Sequence, residues 1–134
     1  MKHLLMLVVL KVKEIAEKLG LIADYVVEEG LYNDYWYCRK WNSGVVECWL
    51  RQTWQPTGNY IGQLLGGHCY HVSMGIPSIF THIEVAKGDG RTGTGIGNLS
   101  AIPVTLTQID VYIVGNQQSA NMIVRSFYII GRWK

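Results

Sequence analysis

Four side chains, His68, Cys69, His71 and His82, have the donor types of a metal site. His68 and His71 stand three residues apart and could converge, and His71 and His82 could face one another on adjacent strands. A closed site needs four such ligands. The chain offers no CxxC, no paired His-Cys set and no obvious fourth ligand for the histidines that could converge, so no metal and no cofactor is expected. Lys87-Gly88-Asp89-Gly90-Arg91-Thr92-Gly93 contains a formal GxGxxG. The dinucleotide fingerprint requires a helix after it, whereas Thr94-Gly95-Ile96-Gly97-Asn98 only adds glycines. A flexible loop is expected there. Glycoside hydrolysis needs two converging carboxylates, but Asp34, Glu47, Glu84, Asp89 and Asp110 are widely scattered. No nucleophile elbow is present. Catalysis is not indicated, and the chain reads as a non-enzyme.

Composition narrows the alternatives. The 134 residues are 49% hydrophobic, enough to build one core. Charged residues make up 16%, below the roughly 25% usual for soluble domains, with Gly in their place, which suits a β-rich surface. The net charge of +2 supplies no basic field to recruit nucleic acid. Eight Tyr and five Trp against two Phe favour aromatics with polar tips, suited to contact with sugars or partners. Cys38, Cys48 and Cys69 are an odd set and read as buried thiols. Leu4–Leu10 imitates a short signal-peptide core, but Lys11 and Lys13 interrupt it and no cleavage site follows. Seven apolar residues are too few to span a bilayer, so neither export nor membrane insertion is expected.

The elements follow from periodicity. Leu5, Val8, Val12, Ile15, Leu19, Ile22 and Val26 are spaced by alternating steps of three and four. Such a strict heptad predicts a coiled coil over residues 1–30, capped at Gly30, with β-branched d positions favouring a trimer. Glu14 and Lys18 would support it as an i,i+4 pair. An abrupt beginning at Met1 reads as the stub of a longer stalk. In a trimer, one His per chain could meet on the axis.

From residue 31 to 134 the period becomes two. Tyr35–Trp41 and Val45–Trp54 flank Asn42-Ser43-Gly44, a hairpin loop in which Gly44 takes a positive φ. Centring the turn on Ser43 sets Arg39 opposite Glu47 and Cys38 opposite Cys48. Further strands are expected at Cys69–Met74, Ile79–Val85, Pro103–Val114 and Asn121–Arg132, with a bulge or edge crossing near Gln108. The sum is a mainly β protein, an antiparallel β-sandwich head preceded by an α-helical coiled-coil segment.

The run from Trp36 through Lys40-Trp41-Asn42-Ser43-Gly44 to Glu47-Cys48-Trp49 resembles a hairpin of phage tail proteins. The likeness is to the C-terminal head domains of tail fibres and receptor-binding proteins from phages of Gram-positive gut bacteria. Tyr128-Ile129-Ile130-Gly131-Arg132-Trp133-Lys134 is similar to the close of the same group and suggests a natural C-terminus. The resemblance covers residues 31–134, and the long Gln55–Gly67 loop departs from it. It implies a homotrimeric head on a stalk, located in the virion after synthesis in the host cytoplasm. Its partners would be host cell-surface carbohydrate and other tail proteins, and it implies no catalytic residues. A structural tail or baseplate connector is the alternative, and a depolymerase the weakest one.

Strand parity then places a ligand site. If the stalk ends at Gly30, the Asn42–Gly44 turn is distal and Gly115–Ala120 reaches the same tip. Trp41 would offer a stacking face there, with Asn42, Asn116, Gln117 and Gln118 as hydrogen-bonding groups. One extra strand at Tyr60–Leu65 would reverse the later part of that count.

Overall fold

The computed structural model describes residues 2–18 and 24–134. Helix α1 spans Lys2–Lys18. Nine strands follow: β1 Val26–Tyr32, β2 Trp36–Trp41, β3 Val45–Leu50, β4 Asn59–Leu64, β5 Gly67–Gly75, β6 His82–Thr92, β7 Gly97–Thr105, β8 Gln108–Gly115 and β9 Met122–Arg132. They form two antiparallel sheets, ordered β1-β2-β3-β9-β6 and β4-β5-β8-β7. Alternation along β2, β3, β8 and β9 turns Trp36, Cys38, Val46, Cys48, Ile109, Val111, Ile113, Val124 and Ile129 into one core between the sheets. The mainly β class and the two-sheet architecture agree with the sequence reading. Among the described residues no helix is long and apolar enough to cross a membrane.

The β2–β3 register matches expectation: Arg39 pairs with Glu47 and Cys38 with Cys48, and Gly44 has φ 98°. All three cysteines are buried free thiols. A hydrogen bond with Cys38, together with burial, pushes the Cys48 thiol up.

The helix is shorter than the heptad predicts. Leu5, Val8, Val12 and Ile15 lie on α1, with Glu14 bonded to Lys18 at 3.3 Å, while Leu19 and Ile22 fall outside the described residues. Val26 is not helical. It opens β1, and Gly30 pairs with Cys38 instead of capping a helix. The β-branched pair Val26-Val27 and the free edge of β2 explain the change, because pairing with β2 satisfies a whole row of backbone groups. The sandwich therefore begins at β1, ahead of the boundary expected after residue 30.

Three other expectations are corrected. Tyr60–Leu65 does carry the extra strand, β4, paired with β5 across a bulge. Pro103–Val114 is two strands joined by a turn at Leu106-Thr107, so the swap of faces near Gln108 marks a hairpin. The glycine-rich run is a loop only at its centre: β6 passes through Lys87–Thr92, β7 starts at Gly97, and the turn between them is confined to residues 93–96. A Cβ on Gly88 would stand 2.5 Å from the Ser126 carbonyl oxygen, and one on Gly90 would stand 2.7 Å from Ile113 Cδ1. These glycines are there for close packing, a use of Gly that periodicity cannot distinguish from flexibility.

The helix joins the sandwich at the end that holds the Asn42–Gly44 turn. Asp24 Oδ1 accepts from Ser43 N at 2.9 Å, Asp24 Oδ2 accepts from the Ser43 hydroxyl, and the Lys13 ammonium lies 4.2 Å from the Tyr25 ring centre. The Ser43 hydrogen bonds hold the Asp24 carboxyl below the usual carboxylate range. The chain's last strand locks the same turn: Arg132 Nη2 donates to Ser43 O at 2.7 Å, and Trp133 Nε1 donates to Trp41 O at 2.8 Å. The second sheet reaches across the first, from Gly115 beside Thr92 to Met74 and Ile76 beside Trp36.

Replacing Gly88 by Ala forces a methyl against the β9 backbone. The variant should unfold at lower urea with a loss of about 1–3 kcal/mol, as overpacking of a tight site does, and equilibrium denaturation measures it.

Candidate functional site

The outward face of the five-stranded sheet carries an aromatic strip. Register aligns Leu31, Tyr37, Trp49, Tyr128 and Lys87 in one row across β1, β2, β3, β9 and β6. Their neighbours along each strand, such as Trp36, Cys38, Cys48, Phe127 and Ile129, point into the core, so this row must point away from it. Tyr37 and Trp49 have ring centres 6.2 Å apart, and Trp49 and Tyr128 5.6 Å, tilted by 39° and 44°. Each ring is half-buried by its neighbours and keeps part of its surface toward solvent.

Polar groups fix the strip from the adjacent row, Glu29, Arg39, Glu47 and Ile130. Glu47 accepts from Tyr128 OH at 3.0 Å and from Trp41 Nε1 at 3.2 Å. Arg39 faces Glu47 in register but pairs elsewhere, donating from Nε to Glu29 Oε2 at 3.0 Å. The existence of β1, which the helical reading hid, supplies that acid. The Arg39 guanidinium then lies 5.5 Å from the Trp49 ring centre and 5.9 Å from that of Trp41. Burial and the Glu47 carboxylate push the Tyr128 phenol up to about 12. The result is a preformed apolar strip with an acceptor and a cation beside it. Such a surface suits the C–H faces and hydroxyls of a sugar, because aromatic faces take the apolar side of the ring while charged groups take hydrogen bonds.

The five residues expected at one tip are divided. Trp41 sits on the outward face, beside the strip, and Asn42 N donates to Tyr25 O at 2.8 Å at the helix end. Asn116, Gln117 and Gln118 belong to the β8–β9 connection at the opposite end, where β9 starts. The added strand β1 moves the Asn42–Gly44 turn from the distal to the proximal end, so the single shared site does not form. Asn116 Oδ1 accepts from Ile96 N at 2.9 Å and Gln117 Oε1 from Thr94 N at 3.0 Å, so these amides brace the β6–β7 turn. Tyr37, Trp49 and Tyr128 were missed as a group. The first two follow from the hairpin register, but only the β3–β9 pairing adds Tyr128.

The metal and catalytic candidates are separated too. His71 pairs with Tyr112 and Asn59 in the four-stranded sheet, whereas His82 pairs with Arg132 in the other. His71 Nε2 lies 3.1 Å from Asp110 Oδ1 but makes no hydrogen bond among the described residues. Ser73 Oγ donates to the same Asp110 oxygen at 3.1 Å. The carboxylate stands where a base would be needed, and no proton relay from Ser73 to His71 is formed.

No protein-family model, curated protein or solved structure matches the chain.

Because the folded-state phenol of Tyr128 titrates above its unfolded value of about 10, its contribution to stability is complete below pH 10. It is lost as the pH rises toward 12. Tyr128→Phe should abolish that alkaline decline, and Glu47→Gln should bring the phenol's titration closer to 10, read from phenolate absorbance.

Proposed function

We propose that this protein is a non-catalytic adhesin, the receptor-binding tip of a phage tail fibre, which holds host cell-surface carbohydrate on the Tyr37–Trp49–Tyr128 strip. The strip is the observation that carries the reading. Three aromatic rings stand side by side on a rigid sheet, oriented by Glu47 and Arg39 before any ligand arrives. Preorganisation of this kind lowers the cost of ordering on binding. The resemblance of the Trp36–Trp49 hairpin and the Arg132-Trp133 ending to fibre heads supports the same assignment.

A homotrimer belongs to this reading. Leu5, Val8, Val12 and Ile15 are 48–65% exposed on α1, apolar surface that none of the described residues covers. Burying it against two copies is the trimer's driving force. The carboxylates support a binding role over a depolymerase. Glu47 is committed to Trp41 and Tyr128, and Asp110 contacts His71 and Ser73 on the other sheet.

A connector within the tail or baseplate is the second reading, favoured by the same strip, since Trp, Tyr and Arg also concentrate at protein interfaces. It requires affinity for another tail component and none for cells.

Trp49→Ala together with Tyr37→Ala should weaken adsorption to host cells tenfold or more while leaving the thermal transition cooperative, since buried aromatic anchors dominate such contacts. Unchanged adsorption would refute the strip as the site. Light scattering over a wide concentration range should return about 45 kDa, three times the 15.1 kDa chain. A persistent single-chain mass would remove the trimer.

A further inference from the structure

Beyond the strip, toward the end remote from the helix, Arg91 has an unusual position. It lies on β6 opposite Ile123, four residues after Lys87, which puts it roughly 13 Å farther along the same outward face. Its Nε atom is buried and makes no hydrogen bond among the described residues. No carboxylate comes within ion-pair distance of Arg91 or of its neighbour Arg125 among those residues. A guanidinium without an anionic partner in a concave place is poised to receive one through its other N–H donors.

That place is a cleft of 130 Å³ lined by Asp89, Gly90, Arg91, Gly95, Gly97 and Arg125, with Ile96 at its side. The volume is well below the roughly 300 Å³ at which pockets begin to enclose whole small molecules, so it fits one group of a larger ligand. Two guanidiniums against the single Asp89 carboxylate leave the cleft positive. The Thr94–Ile96 turn that forms one wall is braced by Asn116 and Gln117, which gives these amides a positioning role.

We propose that the Arg91–Arg125 cleft binds an oxyanion substituent, a phosphate or a carboxylate, of the carbohydrate whose sugar rings lie on the aromatic strip. The inference rests on the adhesin reading for its ligand, and names that ligand as an anionic glycan. A planar guanidinium presents paired N–H donors that match either group.

The test is a titration of the full chain at constant ionic strength, following the Arg91 and Arg125 Nε–H resonances. Glucose 1-phosphate and glucuronate are the two anionic probes, and glucose is the neutral one. A saturable shift of Arg91 Nε–H with either anion, absent with glucose, is expected, and the responding probe identifies the substituent. Arg91→Met keeps the side chain's apolar stem, and Arg125→Ala alters an exposed position. Each should weaken the anion at least tenfold. Wild-type binding by both variants, or a shift with no saturation, overturns the cleft. Host-cell adsorption separates the two claims. Adsorption that depends on Trp49 with no Arg91 response to either anion overturns this inference alone. Saturable anion binding at Arg91 without any adsorption to cells supports an oxyanion cleft, but overturns both its assignment to a glycan and the adhesin reading.

Discussion

The pairing of β3 between β2 and β9 is the constraint on which the rest depends. One register puts Cys38, Cys48 and Ile129 side by side within the core. The same register puts Tyr37, Trp49 and Tyr128 side by side on the opposite face. A slip by one residue would invert both sets at once, so the buried face fixes the outer one. Glu47 adds a second lock. A carboxylate holding Tyr128 OH from β9 and Trp41 Nε1 from β2 spans three strands with its own, and it has these partners only when all three are in register.

The two ends of the sandwich are built differently. At the helix end, the Ser43 turn is held by Asp24 before it in the chain and by Arg132 and Trp133 after it, so segments far apart in sequence close on a single hairpin. At the other end, side-chain amides from the β8–β9 connection hold the β6–β7 turn, and the chain passes between sheets there on glycines that admit close approach. The strip lies between these ends, on strands too well paired to deform.

How far the sequence foretold this differs from residue to residue. Asn42-Ser43-Gly44 carried its turn type, so the hairpin register and the Cys38–Cys48 opposition could be read directly. The β1 strand could not, because Val26 completes a heptad as well as it opens a strand, and only the vacant edge of β2 decides between them. Gly88 and Gly90 look the same in sequence whether they loosen a loop or make room for Phe127 and Ile113. The distal tip failed for the reason parity arguments fail: each unforeseen strand reverses every later direction. Two of the strip's three rings were contained in the hairpin, and the third required knowing that a segment some 80 residues onward lies beside it.

The placement of β1 has a mechanical consequence. The chain leaves the helix and enters β1 at the Asn42–Gly44 end, then runs parallel to the sheet's long direction beside β2. Tension applied through the helix against a load held on β2, β3 and β9 would act along the strands. It would strain the β1–β2 hydrogen bonds together, in shear, and not open them one after another from a corner. An edge strand attached in this way resists being torn off far better than its modest burial would indicate.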